Sequence, residues 1–126
     1  MQNVNTAAFI KALTVRVNEI MPTYYDEAPT SGAFPYSVIN GINIIDIADG
    51  DLISFYIDIW VDEKQPEAGI ELERACDNLR NGLYNAIVAA PGVYAHIGFD
   101  NQNSIADGEF DLAHRRLAMS ARIFYY

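Results

Sequence analysis

Leu52-Ile-Ser-Phe-Tyr-Ile-Asp-Ile-Trp-Val-Asp62 is the stretch that decides how this chain folds. Its side chains alternate. Phe55, Ile57, Ile59 and Val61 fall on one face of an extended strand, and Tyr56, Asp58, Trp60 and Asp62 fall on the other. One apolar and one polar face suits an antiparallel sheet that is covered on one side. Working toward the N-terminus, Asp49-Gly50 reads as the main hairpin turn, with Ile42 to Ile47 as the partner strand. Asn40-Gly41 is also a hairpin dipeptide, but a bulge in one continuous strand fits equally well, so the register of the first hairpin stays open. Phe34 to Ile39 is strand-like, with Pro35 near its start, where a missing donor is tolerated.

Further out, two segments carry helical spacing. Phe9, Ile10, Leu13, Val17 and Ile20 predict a first helix, capped by Thr6 and stopped by Pro22. Between Pro22 and Gly32 two prolines and a glycine predict an extended loop that carries Tyr24 and Tyr25. Beyond the central strand, Pro66 opens a second helix whose stripe is Leu72, Cys76, Leu79, Leu83 and Ile87, ended by Pro91-Gly92. Val93 to Phe99 reads as a third strand, Asp100 to Glu109 as a polar loop, and Arg115 to Tyr126 as a long last strand. In that last strand Leu117, Met119, Ala121, Ile123 and Tyr125 share one face, and Arg116, Ser120 and Arg122 share the other. The expected fold is α+β: one domain over residues 1–126, a mainly antiparallel sheet of about four strands with two helices packed on one face, in the order helix, hairpin, helix, hairpin.

Composition narrows the function. Half the residues are apolar (51%), which rules out a disordered chain. The net charge is −9, from 17 acids against 8 bases, which argues against a basic nucleic-acid-binding surface. The charge is uneven. Glu19 to Asp77 is strongly acidic, with Lys64 and Arg74 its only bases, whereas His114 to Tyr126 holds Arg115, Arg116 and Arg122 and no acid. Such polarity suits head-to-tail contact between copies, and a coincidental surface pattern fits the charge equally well. Cys76, the single cysteine, lies on an apolar stripe and reads as a buried core thiol. No signal peptide and no apolar run of membrane-spanning length is seen, so the expected setting is a reducing cytosol or a particle assembled there.

Motifs for chemistry are weak. Asp46-Ile-Ala-Asp49-Gly-Asp51 resembles a calcium loop only superficially. The third residue from Asp46 is Ala48 and the twelfth is Ile57, where oxygen ligands are required, so the segment reads as an acidic turn. His96 and His114 with one buried cysteine make a poor zinc set, and each reads better as a packed or hydrogen-bonded side chain. Asp58 and Asp62, same-face strand residues, lie roughly 13–14 Å apart, too far for a catalytic carboxylate pair. They read instead as a polar face around one aromatic contact point, Trp60. No phosphate-binding, dinucleotide-binding or nucleophile-elbow pattern occurs. The chain is not expected to be an enzyme, and no cofactor or metal is expected.

The order of motifs resembles the tail terminator, or tail completion, proteins of long-tailed bacteriophages. The motifs are Phe34-Pro-Tyr-Ser-Val-Ile-Asn-Gly41, then Ile57-Asp-Ile-Trp60, then a helix, a strand, a loop and His114-Arg-Arg-Leu-Ala-Met-Ser-Ala-Arg-Ile123, all within residues 5 to 126. The isoleucine-rich run Ile42 to Ile47 departs from the family pattern. The resemblance implies a virion protein of the tail's neck region, assembled in the host cytoplasm into a ring, commonly a hexamer. Such a ring caps the head-proximal end of the tail tube, ends its polymerisation and joins the tail to the head connector. The implied partners are further copies of the chain, the tail tube protein, and a connector or head completion protein; DNA passes through without specific binding, and no membrane is involved. On this reading Tyr24, Tyr25, Asp26, Glu27, Asp58, Trp60, Arg115, Arg116 and Arg122 are candidates for subunit or partner contact, and Asp46, Asp49 and Asp51 are candidates for lining the DNA channel, where acids repel phosphates. The competing readings are another neck component and, from a different class, a small cytosolic ligand-binding domain or enzyme with a deep apolar pocket.

Overall fold

A computed structural model describes residues 3–29, 33–106 and 112–126. Along the chain the elements are α1 (Thr6–Asn18), β1 (Thr23–Tyr25), β2 (Tyr36–Ile47), β3 (Gly50–Asp62), α2 (Ala68–Leu83), β4 (Ile87–Ala90), β5 (Val93–Ile105) and β6 (Leu112–Tyr125). The strands form one curled sheet in the order β1-β2-β3-β6-β5-β4. β1 runs parallel to β2, and every other neighbouring pair is antiparallel.

This corrects the expected four-stranded, mainly antiparallel α+β arrangement. The sheet is mixed, has six strands and dominates the fold. Both additional strands are short and lie at the edges. β1 occupies the segment expected to be loop; its three residues pair with Ser37, Val38 and Ile39, too brief a run to show as alternation in sequence. β4 occupies the expected end of the second helix. That helix stops at Leu83, because Tyr84 is extended and Asn85 turns into the left-handed region at φ 58°. Ile87 therefore leaves the helical stripe for an exposed place on β4, and Pro91-Gly92 turns β4 into β5.

Other boundaries shift for identifiable reasons. Asn5, not Thr6, caps α1, its Oδ1 accepting from the Ala8 amide at 3.2 Å. α1 ends at Asn18, ahead of Pro22. Pro66 lies in the turn before α2, which starts after a left-handed Glu67 at φ 58°. Residues 100–105 continue β5 instead of forming a loop; Asp100 is the extra residue of a bulge between Phe99 and Asn101. Asp107 to Glu109 of the expected polar loop, and Thr30 to Gly32 of the earlier one, lie outside the described residues. Asn40-Gly41 is not a hairpin turn: β2 runs through it with a bulge between Asn40 and Asn43, and the hairpin turns at Ala48-Asp49.

The two bulges stand at one level of the sheet. Asn40 pairs with Tyr56, Tyr56 with Ala118, and Ala118 with Asn101. Bulges bend and twist the strand that carries them, and a matched pair flanking the two central strands accounts for the curl. Inside the curl lies one apolar core. β3 contributes Ile53, Phe55, Ile57, Ile59 and Val61, and β6 contributes Leu117, Met119, Ala121 and Ile123. α1 adds Phe9, Leu13 and Val17, and α2 adds Leu72, Cys76, Leu79 and Leu83, all buried. Burial pushes the Cys76 thiol up to about 12, with nearby Glu73 adding to the rise, so it stays protonated and unreactive. α1 touches both β1 and β4, filling the gap between the sheet's two edges.

Gly50 starts β3 where the backbone presses on β6: a Cβ there would stand 1.8 Å from the Ile123 carbonyl oxygen. Gly69, in the first turn of α2, faces open space. Opposite outcomes are expected. Gly50→Ala should destabilise the fold by about 1–3 kcal/mol or more through overpacking against backbone. Gly69→Ala should stabilise it by about 0.5–1 kcal/mol through helix propensity. Urea unfolding of the two variants checks both signs.

Candidate functional site

The strand alternation that builds the core also builds the opposite face. Register places Tyr36 opposite Trp60, Trp60 opposite His114, Val38 opposite Asp58, and Asp58 opposite Arg116. An Asp in the middle of an apolar strand needs partners if it is buried, and here it has them. Asp58 is 3% exposed. Its Oδ1 accepts from His114 Nε2 and from Arg116 Nε, each at 2.9 Å. Its Oδ2 accepts from Arg116 Nη2 at 3.1 Å and from Asn40 Nδ2 at 2.7 Å. The Arg116 fork is bidentate, the strongest geometry for this pair. Burial by itself would raise the Asp58 pKa. The hydrogen bonds from His114, Arg116 and Asn40, with the Arg116 charge, outweigh it and hold the carboxyl at about 2. Because the carboxylate is then ionised and only accepts, His114 must carry its proton on Nε2.

Aromatic rings flank this cluster. Trp60 stacks on His114 with centroids 4.3 Å apart, and Tyr36 stacks on Trp60 at 5.4 Å. Phe34 tilts against Tyr36 at 5.2 Å, and Tyr24 meets it edge-on at 6.1 Å. The Arg116 guanidinium lies 4.1 Å over the Tyr56 ring. The result is a continuous band from β1 to β6 whose margins, Phe34 and Tyr56, are exposed. Its charged groups are paired within the chain, and its exposed area is aromatic at Phe34 and Tyr56.

The sequence candidates separate into groups. Asp58, Trp60 and Arg116 come together in this band, but Asp58 is consumed internally and is not offered to a neighbour. Arg115 points elsewhere and pairs with Glu73 of α2 at 2.7 Å, where its hydrogen bond holds the Glu73 carboxyl below the usual carboxylate range. Of the three C-terminal arginines, only Arg122 is exposed without an ion pair among the described residues. Tyr24 belongs to the aromatic band. Tyr25 is exposed beside α1, and Asp26 and Glu27 follow it in a surface turn. Asp46 and Asp49 are exposed on the β2–β3 hairpin. Asp51 is buried, its Oδ2 accepting from the Tyr125 hydroxyl at 2.7 Å. Asn40, Tyr36 and the hydrogen-bonding role of His114 toward Asp58 emerge only from strand register. Among the described residues, no group of three or more His, Cys, Asp and Glu is placed to hold a metal ion, and no helix is long and apolar enough to cross a membrane.

No protein-family model matches the sequence, and no curated protein matches it. Among solved structures, the fold matches a chain in the virion of a native gene transfer agent particle. The TM-score is 0.73 at 16% identity, and the match covers 93% of this chain and 98% of that one. The likeness is one of fold, and it extends over nearly the whole length of both chains.

Asp58 makes acid stability a direct readout of the cluster. Its folded value of about 2 lies below its ordinary 3.8, so the stabilisation is fully present above pH 4 and fades as pH falls toward 2. The shift corresponds to about 2 kcal/mol. Asp58→Asn should be about 2 kcal/mol less stable at pH 7, with the gap to the parent protein closing between pH 4 and pH 2. Denaturant midpoints measured across that range check it; a gap that ignores pH would contradict the assignment.

Proposed function

We propose that this chain is a structural protein of a phage-like virion, not an enzyme, and more narrowly a ring subunit of the tail terminator type. Copies would cap the head-proximal end of the tail tube, end its polymerisation and present a surface to the head connector. One observation carries the reading: a chain of a gene transfer agent virion matches this fold along 98% of its own length. That agreement in extent joins the motif order that resembles tail terminators, from Phe34-Pro35-Tyr36 to the strand beginning at His114.

The physical features are compatible with assembly. Among the described residues, β1 and β4 are the edge strands of the sheet and carry no further strand. Open edges invite pairing unless a neighbour covers them. The aromatic band gives a stacked face whose buried charges are paired within the chain. A net charge of −9 lets DNA pass a ring of such subunits without being held.

Particles purified from cells that carry the gene should contain the chain, and gold-labelled antibody should fall at the head–tail junction in electron micrographs. Deleting the gene should leave heads unjoined to tails and tails of uncontrolled length. Normal joined particles that lack the chain, or label confined to another part of the particle, would overturn the proposal.

A further inference from the structure

Two surfaces on opposite flanks of the sheet remain unexplained by the core and by the aromatic band. The first is the far half of the β2–β3 hairpin. Among the described residues β1 pairs with residues 37–39 and no strand pairs with the outer side of β2 from Asn43 to Ile47. There Ile44 and Ile45 are 48% and 52% exposed, although they are adjacent residues pointing to opposite faces, and Asp46 and Asp49 are exposed beside them. The second is a groove of about 530 Å³ between α1 and the edge strand β4. Its walls carry Val15 and Ile87, 56% and 44% exposed, and its charged side chains are Lys11, Arg16 and, toward the end of α1, Glu19.

The two surfaces complement one another in three independent ways. Both expose aliphatic side chains that water disfavours. Both offer unpaired strand edges, so a strand laid in the groove gains main-chain hydrogen bonds from β4. Their charges are opposite: Asp46 and Asp49 on the hairpin, Lys11 and Arg16 in the groove. Even with Glu19 at its end, the groove carries more base than acid, on a chain with 17 acids against 8 bases, which favours an acidic occupant. We infer that the β2–β3 hairpin of one copy docks in the α1–β4 groove of the next, with Ile44 and Ile45 against Val15 and Ile87, and Asp46 and Asp49 against Lys11 and Arg16. The contact joins two different flanks, so it is head-to-tail and propagates around a ring. This deepens the ring reading and rests on it. It also moves Asp46 and Asp49 from the DNA channel to the seam between subunits.

Charge reversal on either side separates the alternatives. Asp46→Lys/Asp49→Lys and Lys11→Glu/Arg16→Glu are each expected to weaken self-association by about tenfold or more. Mixing the two variants should restore it, because the reversed hairpin of one fits the reversed groove of the other, and the two unchanged flanks fit each other. Sedimentation velocity and native mass spectrometry read both effects. Should a charge variant fail to fold, Ile45→Cys/Ile87→Cys in the full chain supplies a second test: oxidation should give a ladder of disulfide-linked multimers that neither single variant gives, with buried Cys76 as a silent background. Wild-type assemblies whose size and affinity ignore both reversals, or a double-cysteine chain that gives no ladder, overturn the docking and leave the ring reading standing. A wild-type chain that never self-associates, alone or on tail tubes, overturns both.

Discussion

Asp58 sits at the middle of β3, with its carboxylate closed off from water, and the pairing of β3 with β6 has to satisfy it. A slip of one residue would turn every β6 side chain to the other face. Leu117 or Arg115 would then stand opposite Asp58 in place of Arg116, and the apolar run from Leu117 to Ile123 would face outward. A buried carboxylate without its partners is strongly destabilising. The ion pair and the core therefore specify the same register from opposite faces of the same two strands. Agreement of this kind between local and global preferences is what singles out one structure. Trp60, stacked on His114 directly across the pair, adds a third vote for that alignment.

From that central pair the remaining architecture follows by geometry. β2 and β5 flank it, and each carries its bulge at the level of Tyr56 and Ala118. Gly41 makes the β2 bulge workable: at φ +66° with the Tyr56 ring beneath it, no side chain fits there without displacing that ring. The bend brings the distant margins β1 and β4 toward each other, and α1 fills the space between them. The helix thus covers the core and packs beside both edge strands, leaving a groove between itself and β4. One curvature accounts for the closed interior and for the unfinished margins.

The long alternating runs were legible in the sequence, because a period of two over ten or more residues has no other reading. β3 and β6 are of this kind, as is the helical stripe from Leu72 to Leu83. Residues 23–25 and 87–90 were not legible as strands. Three or four residues cannot establish a period, and each borders a stronger signal: prolines in one case, the end of a helical stripe in the other. Asp100 to Ile105 misled through composition, since Asp, Asn, Gln and Ser are common in loops yet here follow a bulge on the sheet's exposed flank. The polar cluster was half legible. Asp58 and Trp60 could be placed on one face, but their partners belong to other strands, and only the register brings Asn40, His114 and Arg116 to them.

The distribution of charge changes meaning once the strands are paired. In sequence, an acidic first half and an arginine-bearing C-terminus suggest two oppositely charged flanks. In the fold, Arg116 turns to Asp58 and Arg115 to Glu73, so two of the three arginines neutralise acids of the same copy. Exposed bases survive on α1, where Lys11 and Arg16 line the groove beside β4 with Glu19 at its end, and at Arg122. Acids survive on the hairpin at Asp46 and Asp49, while Asp51, close by in sequence, is drawn under Tyr125. On the docking proposed above, polarity between copies would be set by which charges folding leaves unspent. Two of the segments that keep charge, the α1 face and the β2–β3 hairpin, stand beside edge strands of the sheet, where, on that docking, a second chain would add hydrogen bonds to the attraction.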